Sequence, residues 1–222
     1  AGGDVVASPV VFVSVTVIAH ADEGTPVVGR SGARPGEVVA ITGPVGGAAA
    51  GLALLQGLEV PDVSDLARDL LIECQVHPRP GLAAAPVLAR SGATAMIDVS
   101  DGLTADLGHV AAASGVSIRL EAAEIPLVPG VREVAAAAGE DALGFAVSGG
   151  EDYVLALTVP AERFEQADSA LIDATGFELL AIGAVEAAGA SGPGVSLTGE
   201  NGSVPVAPAG HDHFRGPESH SR

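Results

Sequence analysis

Asp98-Val99-Ser100-Asp101-Gly102 sets two carboxylates three residues apart where an apolar run gives way to a helix-forming one. Oxygen ligands at that spacing suit a hard cation such as Mg2+, and backbone N–H groups at a helix start suit a phosphate. The same residues also fit a plain turn with Asp101 as the helix N-cap. Asp98 follows Ala95-Met96-Ile97 in a run that reads as buried, where a carboxylate needs a partner. A second group, Ser148-Gly149-Gly150-Glu151-Asp152-Tyr153, lies between two apolar runs. Its glycines let the backbone turn sharply or approach a ligand closely. Its two carboxylates suit a metal, or hydrogen bonds from a cationic or amine-bearing substrate. A Gly-Gly hairpin turn with solvated charges fits equally well.

Three further segments carry weaker signals. Gly2-Gly3-Asp4 puts a carboxylate beside two glycines at the chain start. The glycine-rich run over residues 43–51 looks like a nucleotide loop but has neither GxGxxG spacing nor a following Lys, so helix packing through small residues is the better reading. His211 and His213 are two residues apart, with a single Cys in the chain and no HExxH, so a zinc site there is disfavoured against turn residues closing the fold. His20, His77 and His109 sit near element ends and receive no role.

The basic side of the composition narrows the chemistry. All 10 basic residues are Arg, which excludes a Walker A lysine, a Schiff-base enzyme and a protein kinase as usually built. The net charge of -18 argues against a nucleic-acid partner. A phosphate substrate would then need divalent metal to offset that charge. The lone Cys74 rules out a disulfide framework. The longest apolar stretch, residues 9–19, is about half of what a membrane-spanning helix needs, so no membrane association is expected.

The elements that must position these residues follow from periodicity. Strands are expected at 10–20, 37–42, 93–99, 116–121, 145–147, 153–159 and 179–185, with short strands on to 206. Helices are expected at 48–56, 62–76, 82–91, 103–114, 131–138 and 161–175, with Val63, Leu66, Leu70 and Cys74 on one stripe of the second. Strands and helices alternate with some adjacent strand pairs, so the class is α/β or α+β, with residues 10–20 in a separate sheet.

Gly2-Gly3-Asp4, RSGARPGE (30–37), AMIDVSDGLTADLGH (95–109), AVSGGEDYVL (146–155) and GHDHF (210–214) occur in one order. Together they resemble thiamine-monophosphate kinase, of the superfamily that includes aminoimidazole-ribonucleotide and selenophosphate synthetases. SDGL is shared across that superfamily; SGGEDY, DHF and RSGAR in this order are more specific. The resemblance implies ATP- and Mg2+-dependent phosphorylation of thiamine monophosphate to thiamine diphosphate, in the cytoplasm, by a homodimer. It implies an N-terminal remnant over 1–28, a C-terminal α/β domain of the aminoimidazole-ribonucleotide-synthetase type over 29–214, and a flexible tail over 215–222. By position, Gly3, Asp4, Arg30 and Ser100 would contact ATP. Asp4, Asp98 and Asp101 would hold several Mg2+ ions. Glu151 and His211 would contact the thiamine substrate. No catalytic residue is implied beyond this positioning.

The chain departs from the family pattern in three ways. Val5-Val6 replaces two threonines, His211 replaces a larger aromatic, and the family's upstream DDAA-type acidic cluster is expected to precede residue 1. These departures leave two alternatives: another synthetase of the same superfamily, or a non-catalytic thiamine-phosphate-binding or assembly module.

Overall fold

A computed structural model describes residues 9–21, 23–199 and 202–206. Among these residues seven strands form one sheet in the order β2-β4-β1-β5-β3-β6-β7. They are β1 (Val38–Ile41), β2 (Ala95–Asp98), β3 (Val116–Glu121), β4 (Leu155–Val159), β5 (Leu180–Ala187), β6 (Gly194–Gly199) and β7 (Gly202–Val206). Every pairing is antiparallel except β3 with β6. The class is therefore mixed α/β with a largely antiparallel sheet, as the alternating pattern led one to expect.

Among the described residues seven α-helices pack with the sheet: α1 (Gly47–Leu55), α2 (Asp65–Val76), α3 (Ala84–Ser91), α4 (Leu103–Ser114), α5 (Val131–Ala138), α6 (Ala142–Ser148) and α7 (Phe164–Thr175). Alternation along β1 divides its side chains between two cores. Val39 and Ile41 join the larger core beneath α1, α2, α4, α5 and α6. Ala40 faces the other way and packs with Leu88 of α3 and Leu171 of α7. Both faces of β1 are buried, which explains why it reads as an unbroken apolar run.

Three expectations need correction. Residues 10–20 belong to none of the seven strands, and Val11 and Ile18 are more than 90% exposed. Their β-branched pattern favours extended backbone, but a strand needs a partner edge as well as propensity. Residues 145–147 are the end of helix α6, not a strand. Asp141 starts that helix by accepting the Gly144 N–H at 2.7 Å. The buried stripe of α2 runs through Leu71, with Ala67 and Cys74 packed against the core; Leu66 is 82% exposed.

The glycine-rich run does serve helix packing. A Cβ on Gly51 would stand 2.0 Å from the carbonyl oxygen of Leu71, and one on Gly47 would stand 2.9 Å from Cys74 Sγ. These glycines let α1 and α2 approach closely, because no side chain separates the two backbones. Gly51→Ala must push α2 away from α1. It should lower the unfolding free energy by about 3 kcal/mol in a urea titration. An unchanged midpoint would show that α1 and α2 do not pack as closely as described.

Candidate functional site

Strand β2 delivers Asp98 at its last position, and α4 begins five residues later. The turn between them is held from inside the helix. Asp106, on the first turn of α4, points its Oδ2 back and accepts three successive backbone N–H bonds, from Ser100 (2.9 Å), Asp101 (3.0 Å) and Gly102 (3.1 Å). It is 2% exposed. Burial pushes its carboxyl above the usual range, while the three N–H donors pull the other way. The sequence offered Asp101 as the N-cap. The capping position is instead Gly102, with no side-chain bond, and Asp106 gathers the free donors. Asp101 is thereby left half-buried at a cleft.

The second motif docks onto the first. Past the end of α6, Gly150 lies so near the Ser100 carbonyl that a Cβ would stand 2.4 Å from its oxygen. A Cβ on Gly102, whose φ is 125°, would stand 2.9 Å from the Ser148 carbonyl oxygen. Backbone bonds run from Glu151 N–H to the Ser100 oxygen (2.9 Å) and from Tyr153 N–H to the Val99 oxygen (2.8 Å). The loop over 149–154 therefore joins a helix to a strand and is no hairpin turn.

Asp152 fastens the other side of this loop. Its Oδ2 accepts the Gly46 N–H at 2.7 Å and its Oδ1 the Ala48 N–H at 3.2 Å, at the start of α1. Helix α1 has no side-chain cap from its own N-cap residue, Gly46, and no acidic residue in its first turn, so this distant carboxylate supplies both. Desolvation raises Asp152 to about 6, against the pull of those N–H bonds. Glu151 is exposed, and its Oε2 accepts a 2.8 Å bond from Gln75 Nε2 of α2.

Arg30 comes from a third segment. Gly29 pairs with β2 through its carbonyl, which accepts the Met96 N–H at 2.9 Å. Ser114 Oγ, on the last turn of α4, accepts from Gly32 and Ala33 N–H and donates to the Arg30 carbonyl at 3.3 Å. Arg30, Asp98, Ser100, Asp101, Asp106 and His109 consequently help to line one shallow cleft of about 350 Å³. Asp98 is exposed there, contrary to its expected burial among apolar neighbours. Glu151 lies on the loop docked against this turn rather than in the cleft lining. Gly3, Asp4 and His211 lie outside the described residues.

The donor set fits one mode of Mg2+ binding. That ion keeps several waters and is bound through one or two carboxylates plus substrate phosphates. Asp98 and Asp101 supply two such groups on one cleft. Among the described residues no three His, Cys, Asp or Glu side chains gather into a protein cage. Arg30 adds the planar donor fork that suits phosphate oxygens. Asp106 and Ser114 were assigned no part by the sequence, and Asp152, read there with Glu151 as a carboxylate for a metal or a cationic substrate, holds backbone N–H groups instead. A signal for Asp106 was present: with Leu103, Leu107 and Val110 it falls on the apolar face of α4, where a carboxylate must find donors.

Two outcomes follow from this geometry. Gly150→Ala should separate the two loops and cost about 1–3 kcal/mol of stability, read from the thermal midpoint; an unaltered midpoint would contradict the close approach. For Asp152, the folded chain holds the proton up to about pH 6, the unfolded chain only to about pH 4. Between these values the native state binds more protons, so this group lowers stability as pH rises through the window and adds no slope above it. Asp152→Asn removes that contribution. Between about pH 4 and about pH 7, the unfolding free energy of the native chain should fall relative to the variant by about 2–3 kcal/mol. Parallel pH profiles would contradict it.

Comparison with known proteins adds an independent line. The family described as AIR synthase related protein, C-terminal domain, matches residues 34–196. The chain is 45% identical over 156 residues to the thiamine-monophosphate kinase of Mycobacterium tuberculosis, covering 69% of this chain and 44% of that protein. It is 37% identical over 190 residues to the enzyme of the same name from Salmonella typhimurium, covering 85% and 55%. The solved structure of AaThiL complexed with AMPPCP and TMP superposes with a TM-score of 0.68 at 32% identity, over 84% of this chain and 54% of that one. The chain thus spans about half the length of the curated relatives it matches. Among the described residues no helix is long and apolar enough to cross a membrane. Matched motifs, sheet and family assignment agree: the chain belongs to the AIR synthase related family and carries its C-terminal domain.

Proposed function

We propose that this chain serves in the ATP- and Mg2+-dependent transfer of a phosphoryl group onto thiamine monophosphate, giving thiamine diphosphate and ADP. The observation that carries the reading is the cleft shared by Arg30, Asp98, Ser100 and Asp101, with the Glu151 loop bonded to its floor. Relatives named for this activity, and a similar structure that holds a nucleotide analogue, support it. In this reading the domain over 29–214 works with an N-terminal ATP-binding part to which residues 1–28 belong, in a cytoplasmic dimer. Gly3 and Asp4 meet the nucleotide and metal, and His211 the substrate.

Two anionic phosphates must meet, and their repulsion is the main barrier. Asp98, Asp101 and Asp4 would hold Mg2+, which when bound neutralises phosphate charge and polarises the transferred group. Arg30 and the Ser100 hydroxyl orient phosphate oxygens without a lysine. The acceptor is a phosphate oxygen already ionised at neutral pH, so no strong general base is required and positioning supplies the rate. Glu151 offers a carboxylate to the cationic thiazolium. Its bond from Gln75 holds the side chain in one place before substrate arrives.

Calorimetric titration of the chain tests this. Thiamine monophosphate should bind, and Glu151→Gln should weaken it about tenfold, the equivalent of one charge-assisted contact. ATP should bind more tightly with Mg2+ than without, and Asp101→Asn should remove that difference. Binding of neither ligand, or ATP affinity indifferent to Mg2+, would overturn the proposal.

A further inference from the structure

Glu151 and Tyr153 are the two non-glycine residues with positive φ among the described residues, at 67° and 52°. Such backbone is disfavoured for both residue types and persists only where the surroundings over-determine it. The residue between them, Asp152, ties the loop to α1: both carboxylate oxygens accept N–H groups at the start of that helix, more than 100 positions away in sequence, while the Glu151 side chain reaches Gln75 of α2. On the opposite side Glu151 and Tyr153 donate their own N–H groups to the Ser100 and Val99 carbonyls. The loop is thus pinned from two sides, and the pin toward α1 is a single side chain. Gly149 completes the fit, with no room for a Cβ against Ala49 of α1.

We infer that Asp152 is a positioning residue: by clasping the loop to the first turn of α1 it holds Glu151 in its left-handed conformation, aimed for the thiamine end of the substrate. The substrate half of this inference rests on the reading of Glu151 given above. The clasp itself does not. It also accounts for a feature of α1 that its own sequence leaves unexplained. A helix start rich in glycine and alanine is a ready anion site, and here the anion is internal, so this terminus is filled by Asp152 rather than by a ligand phosphate.

Amide hydrogen exchange on the ligand-free chain at neutral pH decides the clasp. Asp152→Asn keeps the shape but sets an amide N–H2 against one of the two donors. The Glu151 and Tyr153 amides should then exchange about tenfold faster or more, with sheet amides such as those of Val39 and Leu157 unchanged. Unchanged Glu151 and Tyr153 protection, or an equal rise at every amide, would overturn it. Asp152→Ala should give the same pattern where it folds. Thiamine monophosphate affinity decides the positioning role: Asp152→Asn should lower it about tenfold while leaving Mg2+-ATP affinity as in the native chain. Equal losses for both ligands, or none for either, would count against positioning. A native chain that binds no thiamine monophosphate would overturn the functional reading and the substrate half with it, and the exchange comparison would still judge the clasp.

Discussion

One buried carboxylate organises the site. Asp106 turns back from the first turn of α4 and takes three consecutive backbone N–H groups. Such a concave run of amides is a natural anion seat, and leaving the donors unmatched inside the protein would cost about 1–3 kcal/mol each. With Asp106 in the seat, the turn after β2 has one conformation. The side chains of Asp98, Ser100 and Asp101 are then freed from capping duty to face the cleft. Oδ2 of Asp106 is engaged by backbone, while Asp98 is exposed and Asp101 half-buried in the same cleft.

From this turn the rest of the site is built by close backbone approach. Gly102 and Gly150 remove the side chains that would keep the two loops apart, and each loop supplies carbonyl oxygens to the other's surroundings. The same device recurs between α1 and α2 at Gly51 and between β5 and β3 at Gly183. A chain with 30 glycines and few aromatics therefore gains contact by bringing backbone to backbone. The acidic surplus, -18 in all, is consistent with this arrangement: carboxylates hold backbone N–H groups internally and present oxygen ligands externally.

Much of the fold was legible because local periodicity and burial agree. The boundaries of α4 and β3 were read to the residue, since β3 alternates cleanly and α4 buries Leu103, Leu107 and Val110 at helical spacing and ends at Gly115. Residues 10–20 misled because β-branched alternation states a preference without naming a partner. Residues 145–147 misled because three apolar residues are too short to separate helix from strand, and the decisive signal was the upstream cap Asp141. In the site, the two motifs were each visible, but their docking was not. A glycine tells that something comes close, and not which carbonyl 50 positions away it meets. Asp152 was noticed as a carboxylate, yet its donors lie over 100 residues earlier in the chain, beyond the reach of any spacing argument.

Asp106 fixes the turn that shapes the cleft through its three backbone bonds. The most direct measurement is the Mg2+-dependent affinity for ATP of the native chain and of Asp106→Asn, each checked for native melting behaviour. Support of ligand-bearing residues from behind is typically worth about 10–100-fold in affinity, so a loss of that size is predicted in the variant. An Asp106→Asn chain that remains folded and binds Mg2+-ATP as tightly as the native chain would contradict the central claim.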